Sequence, residues 1–128
     1  MSLQEIVFVV DGKPQGKQRP RLGKGGCVYT PRETKRYERS IAWAATAGRP
    51  RGWRLSGAVS VEVACYFPDL HIRDIDNVLK AVLDGMNGVA YHDDSQVALA
   101  NVTKALDREH PRTEVVVRQA AQLWLEEA

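Results

Sequence analysis

The sequence predicts an α+β domain of two layers, a mixed sheet of about four strands packed with two main helices. Three observations carry that expectation. Residues 57–67 (GAVSVEVACYF) alternate strictly, with Val59, Val61, Val63, Cys65 and Phe67 on one side and Ser60, Glu62, Ala64 and Tyr66 on the other, which is the period of a half-buried strand. Residues 75–86 place Ile75, Val78, Leu79, Val82, Leu83 and Met86 at helical spacing, as one apolar stripe. Along the chain the patterns run strand, basic loop, helix, strand, helix, strand, strand, short helix. The 128 residues are the size of one domain with one modest core, so residues 1–128 are expected to fold as a unit.

The elements follow in order. The run EIVFVV, residues 5–10, ends at Asp11-Gly12 and predicts a buried strand entering a turn. The next stretch, GKPQGKQRPRLGKGG, has Gly and Pro at close intervals, no period and dense cations. That excludes a helix or an inner strand and predicts a mobile basic loop. Its Lys13, Lys17, Arg19, Arg21 and Lys24 are candidate phosphate contacts, because cations so dense repel one another without an anion; a solvated linker is the bland alternative. Cys27-Val28-Tyr29 predicts a brief strand. A helix then starts with Thr30 as N-cap, Pro31 at N1 and Glu33 at N3, runs to Ala47 and stops at Gly48. Tyr37, Ile41, Ala44 and Ala45 make its inner face, with Trp43 on a flank. Arg32, Lys35, Arg36 and Arg39 make its outer one, suited to tracking a DNA backbone or, equally, ordinary helix-surface charge.

A second basic loop, GRPRGWRLS, holds Arg49, Arg51 and Arg54 around Trp53, which either stacks on a base or packs the loop. Pro68 ends the alternating strand, and residues 69–73 deliver the chain to the second helix. Asp74 or Asp76 can cap that helix and Gly85 or Gly88 can end it. Asp76 and Lys80 lie one above the other, while Asp84 falls further round, towards water. Residues 96–106 and 113–118 predict two strands forming an antiparallel pair, and residues 119–127 a short closing helix with Leu123 and Trp124 facing in or towards a partner. Cys27 and Cys65 form no metal motif, and no disulfide is expected. No apolar run reaches membrane-spanning length and no secretion signal opens the chain, so no membrane partner and a cytoplasmic location are expected.

The net charge of +2 hides an asymmetry. Residues 11–40 carry nine Lys/Arg against Asp11, Glu33 and Glu38; residues 69–94 carry six Asp against Arg73 and Lys80. A basic half beside an acidic centre suits a protein that holds a polyanion and places metal against it. Asp74, Asp76 and Asp94 stand at helix and loop ends, where hard Mg²⁺ would take one or two carboxylates and keep waters. Lys80 could neutralise charge on a phosphate. The competing reading makes the same aspartates caps and turns.

At these residues the chain resembles the RusA family of Holliday-junction endonucleases. The matching pieces are Asp74-Ile75-Asp76-Asn77-Val78-Leu79-Lys80, then Leu83-Asp84-Gly85-Met86-Asn87-Gly88, then Asp93-Asp94-Ser95-Gln96-Val97. The resemblance implies a RusA-like fold and an intertwined homodimer. It implies Asp74, Asp76 and Asp94 as the catalytic, metal-holding carboxylates and Lys80 as the essential lysine. Asp93 and Asp84 rank below these. The implied cofactor is Mg²⁺, with Mn²⁺ an alternative, and no small-molecule cofactor. The implied activity is resolution of four-way DNA junctions in recombination and repair. From the residues themselves, the basic loop and first helix are expected to hold the DNA through Lys13, Lys17, Arg19, Arg21, Lys24, Arg32, Lys35 and Arg36. Twofold symmetry independently favours a dimer, since a junction is resolved by two matched cuts. Two alternatives stay open: a non-catalytic nucleic-acid-binding module, and a nuclease acting on flaps, forks or RNA. The catalytic reading expects folding to gather the three acids into one pocket.

Overall fold

A computed structural model of the chain describes residues 4–29, 31–50 and 54–120. It is an α+β fold. The elements run β1 (Glu5–Asp11), β2 (Arg21–Leu22), β3 (Val28–Tyr29), α1 (Arg32–Gly48), β4 (Val59–Phe67), α2 (Ile75–Gly85), β5 (Val97–Leu106) and β6 (Arg112–Gln119). The main sheet has the order β1-β6-β4-β5, and β2 and β3 form a separate small hairpin. Strand β6 is antiparallel to both of its neighbours, and β5 is parallel to β4.

Alternation decides which face each strand buries. Ile6, Phe8 and Val10 of β1, Val115 and Val117 of β6, and Val59, Val61, Val63, Cys65 and Phe67 of β4 all point into the core. The helices cover that face with Tyr37, Ile41 and Ala45 from α1 and Val78, Ala81, Val82 and Met86 from α2. Each fully buried aliphatic of this set contributes about 1.5–3 kcal/mol relative to exposure. The other face meets water: Val7 and Val9 are half exposed. There Arg118 ties β6 to its neighbours through Glu5 at 2.9 Å and Glu62 at 2.6 Å.

The two helices cross where Gly85 removes a side chain. A Cβ at that position would lie 2.8 Å from Ile41 Cβ and 2.9 Å from the Glu38 carbonyl oxygen. Gly85 is therefore the contact point of α1 and α2 as well as the last residue of α2. Gly88, three residues on, takes the left-handed backbone (φ +74°) that turns the chain away.

Strands β5 and β6 do not pair with each other, contrary to the expectation for residues 96–118. Strand β4 lies between them. The β5–β6 connection starts with Asp107 donating its amide to the Phe67 carbonyl, and Gly12 likewise donates to Pro111. The connection thus steps over the end of β4 rather than closing a hairpin. In β4-α2-β5 two parallel strands need a crossover, and α2 supplies it. The expected N-cap Thr30, the Arg51–Trp53 loop and most of the closing helix lie outside the described residues. Gln119, expected to open that helix, ends β6. Cys27 and Cys65 are free thiols, the first exposed and the second buried. Among the described residues no helix is long and apolar enough to cross a membrane.

Candidate functional site

Strand β4 is central and rigid, and the turn after it carries the acids out of the sheet. Pro68 ends the strand. Asp69 then pins the turn by accepting from the His71 amide and pairing with Arg73 at 2.6 Å. The Arg73 guanidinium in turn lies 4.3 Å from the centre of the Phe67 ring. Arg73 beside it holds the Asp69 carboxyl below the usual carboxylate range. Lys104 of β5 donates to the Arg73 carbonyl at 3.2 Å, fixing the backbone one residue before Asp74. Asp74 and Asp76 thus stand at the start of α2 on a braced turn.

Neither of them behaves as a structural aspartate. Asp74 occupies the N-cap position of α2 but makes no capping hydrogen bond. Asp76 is exposed in the first turn. Among the described residues neither carboxylate has an ion pair or hydrogen bond. The aspartates that do serve as caps and turns are others. Asp93 accepts from the Ser95 amide and completes a capping box with Gln96, whose side chain accepts from the Asp93 amide. Those bonds from Ser95 lower the Asp93 pKa. Asp107 accepts from the amides of Glu109 and His110. Gln96 also donates to the carbonyls of Leu55 and Gly57, locking the turn that holds Asp94.

The structure does not gather the three predicted acids within one chain. Asp94 opens the short 3-10 turn just before β5, and β5 begins beside Val59, at the start of β4. Asp74 follows the other end of β4. Helix α2 spans the gap, and its eleven residues correspond to ~16 Å. Among the described residues no group of three or more Asp, Glu, His or Cys side chains is placed to hold one metal ion. Asp94 instead shares its surroundings with Asp84 and Asp93 around the buried Tyr91. Burial first, and then the negative field of Asp94, Asp84 and Asp93, push the Tyr91 hydroxyl far above its ordinary range. That hydroxyl donates to the Leu83 carbonyl at 2.7 Å.

Asp84 does not face water as expected. It accepts from Lys17 at 2.6 Å, and Lys17 also bonds Glu38 of α1 at 2.8 Å. The ion partner of Lys80 is Asp84, at 3.9 Å, one turn further along α2, and not Asp76, one turn before it. The Lys80 side chain remains 63% exposed. Because Lys17 is committed to Asp84 and Glu38, it is a clamp between the basic loop and both helices, not a free phosphate contact. The loop is docked, too: the Lys17 amide donates to the Asn77 carbonyl and the Gln18 amide to the Thr34 hydroxyl. The expectation of a mobile loop overlooked these anchors, which depend on helices distant in sequence. Lys13, Arg19 and Lys24 remain exposed along it, and Arg21 enters β2.

Burial pulls the Lys17 pKa down, but the bonds to Asp84 and Glu38 outweigh it and leave the ammonium above its ordinary value. A raised folded pKa means stability fully present below the unfolded lysine pKa of about 10.4 and lost as pH rises through the folded value. Lys17→Met is expected to cost about 1–2 kcal/mol at neutral pH. Denaturant melts at pH 7 and above pH 10.4 check this: the gap between variant and wild type narrows at the alkaline end.

The cations of α1 form a second feature. Arg32, Lys35, Arg36 and Arg39 line a recess of about 520 Å³ together with Tyr29 of the β2–β3 hairpin. Sequence reasoning placed Arg39 on this face without counting it among the DNA contacts, and it missed Tyr29. The signal for Arg39 was present in its spacing with Arg32 and Arg36.

A family model described as "Endodeoxyribonuclease RusA" matches residues 11–118 of this chain. A Bacillus subtilis (strain 168) protein described as "Uncharacterized protein YqaN" is 31% identical over 140 residues, covering 91% of this chain and 97% of that relative.

Proposed function

The chain belongs to the RusA endodeoxyribonuclease family, and from that membership we propose a structure-selective endonuclease that resolves four-way DNA junctions in recombination and repair. The observation that carries the catalytic reading is the bare carboxylate pair Asp74–Asp76 at the strand-to-helix junction. Two carboxylates that have no hydrogen bond or ion pair among the described residues are free to take a divalent ion. The two oxygen donors suit Mg²⁺, with Mn²⁺ an alternative, because such ions keep several waters and need few protein ligands. Asp74 and Asp76 would hold the ion. Bound there, it supplies Lewis-acid stabilisation of the scissile phosphate and a water acidic enough to attack at neutral pH.

The chain's own groups do the rest. Lys80, one turn on from Asp76 and mostly in solvent, neutralises charge growing on the phosphate, so its loss lowers turnover more than binding. Leu70 and Ile72 stand exposed on the turn that delivers Asp74. Apolar side chains in that position suit the unstacked bases of a branch better than a regular duplex.

Asp94 enters this reading through a homodimer. Strand β5 is ten residues long, largely exposed, and unpaired on its outer edge among the described residues. A free edge of that length is a template for pairing. If two copies pair antiparallel along β5 about a twofold axis, Asp94 at the start of one β5 comes to the end of its partner's. That end is where Lys104 braces the turn before Asp74. Each site then takes Asp74, Asp76 and Lys80 from one protomer and Asp94 of the partner subunit, and two sites related by symmetry suit two matched cuts.

The experiment is direct. Labelled four-way junction, fork and duplex are incubated with the protein in Mg²⁺ and in EDTA. Paired, metal-dependent nicks in the junction in preference to the fork are expected. Binding without metal-dependent cutting would instead favour a nucleic-acid-binding module, a reading to which the lack of a three-acid cluster among the described residues lends support.

A further inference from the structure

We propose that the outer face of α1, together with Tyr29, binds an unpaired DNA strand: Tyr29 and Trp43 stack on bases while Arg32, Lys35, Arg36 and Arg39 hold phosphates. The proposal rests on the nuclease reading above and names the part of a branched substrate that the protein grips away from the acids. Arg32, Arg36, Arg39 and Trp43 recur at helical spacing and share one stripe, with Lys35 on its border. Trp43 stands at the C-terminal end of this stripe, beyond the recess, and is 74% exposed. A Trp rarely stands so far out of a surface, because its ring has much apolar area to bury.

The cations are equally unsatisfied. Among the described residues Arg73, Arg112, Arg118 and Lys17 all have acidic partners, whereas none of the four on this face has one. Four like charges on one helix face are mutually repulsive and await an anion.

Tyr29 completes the site from the other side. Its ring packs on Gly23, where a Cβ would sit 3.4 Å from two ring atoms. The Gly23 amide donates to the Cys27 carbonyl at 2.6 Å and closes the hairpin beneath it. The ring is thus held in place, 46% exposed, at the edge of the basic recess. A duplex offers that recess phosphates but hides the faces of its bases. An unpaired strand offers both, and aromatic platforms among cations bind single strands without regard to sequence. The excess of positive charge favours a polyanion over a second protein copy, which would have to bury four unpaired cations.

The test uses 2-aminopurine placed in a single strand, in the unpaired arm of a fork and in a full duplex, each mixed with the protein in EDTA so that no cleavage is needed. Wild type is expected to quench the probe in the strand and the fork arm and to leave the duplex unchanged. Tyr29→Ala and Trp43→Ala are each expected to lose quenching and to weaken single-strand binding about tenfold. Tyr29→Phe keeps both properties, and circular dichroism confirms that the variants fold. Unaltered quenching in the two alanine variants would overturn the proposal. So would a Trp43→Ala chain that turns from dimer to monomer in sedimentation, since the face would then be a protein interface. A wild type that quenches in EDTA yet never nicks in Mg²⁺ supports this site and sinks the nuclease reading; one that nicks without quenching does the reverse.

Discussion

Asp76→Asn is expected to bind a four-way junction as wild type does and to lose metal-dependent nicking by ~10³-fold or more, the loss that follows when several kcal/mol of metal-borne stabilisation goes. The substitution keeps the shape of the side chain and removes its charge. Asp76 is exposed and has no partner among the described residues, so no fold-stabilising contact is broken. Melting temperature should not move. Junction affinity, set by phosphate contacts along the basic surfaces, should keep its steep decline with salt. Gel shifts in EDTA and nicking rates in Mg²⁺ on one preparation check both halves. Robust cleavage by the variant would remove Asp76 from the chemistry.

Gly85→Ala is expected to destabilise the fold by about 3 kcal/mol. The added methyl would meet the Ile41 Cβ and a backbone oxygen at under 3 Å, and neither can swing aside. The helix-propensity gain of about 1 kcal/mol from replacing Gly is too small to offset this. Urea unfolding monitored by circular dichroism reads the change. A midpoint equal to that of wild type would show that α1 and α2 can separate freely and that the crossing at Gly85 is unimportant. The Gly of the Leu83-Asp84-Gly85 motif is therefore explained by packing rather than by catalysis.

The local parts of this fold are legible in the sequence. The alternation of β4 places Val59, Val61, Val63, Cys65 and Phe67 in the core, and the apolar stripe of α2 buries Val78, Val82 and Met86, with Leu79 and Leu83 partly buried beside them and Ile75 at its margin, because burial imposes the period of each element directly. What was not legible depends on pairing between distant segments. Nothing local in residues 97–119 tells that β4 separates β5 from β6, since the inserted strand comes from residues 59–67. The basic loop reads as mobile because its anchors, Asn77, Thr34, Glu38 and Asp84, lie on helices far along the chain. The candidate site divides the same way. Asp74 and Asp76 stand where the motif places them, at the mouth of a strand-to-helix turn. The distance of Asp94 from them follows from the length of α2 and the parallel register of β5, which only the folded topology reveals.

Mixing two inactive chains tests the central claim most directly. Asp76→Asn and Asp94→Asn are each expected to bind junctions and to nick none. Co-refolded in equal amounts, half of the dimers are mixed, and each mixed dimer carries one site with all its acids, so roughly a quarter of wild-type nicking should return. A mixture as inert as its components, with mixed dimers shown to be present, would contradict the shared site.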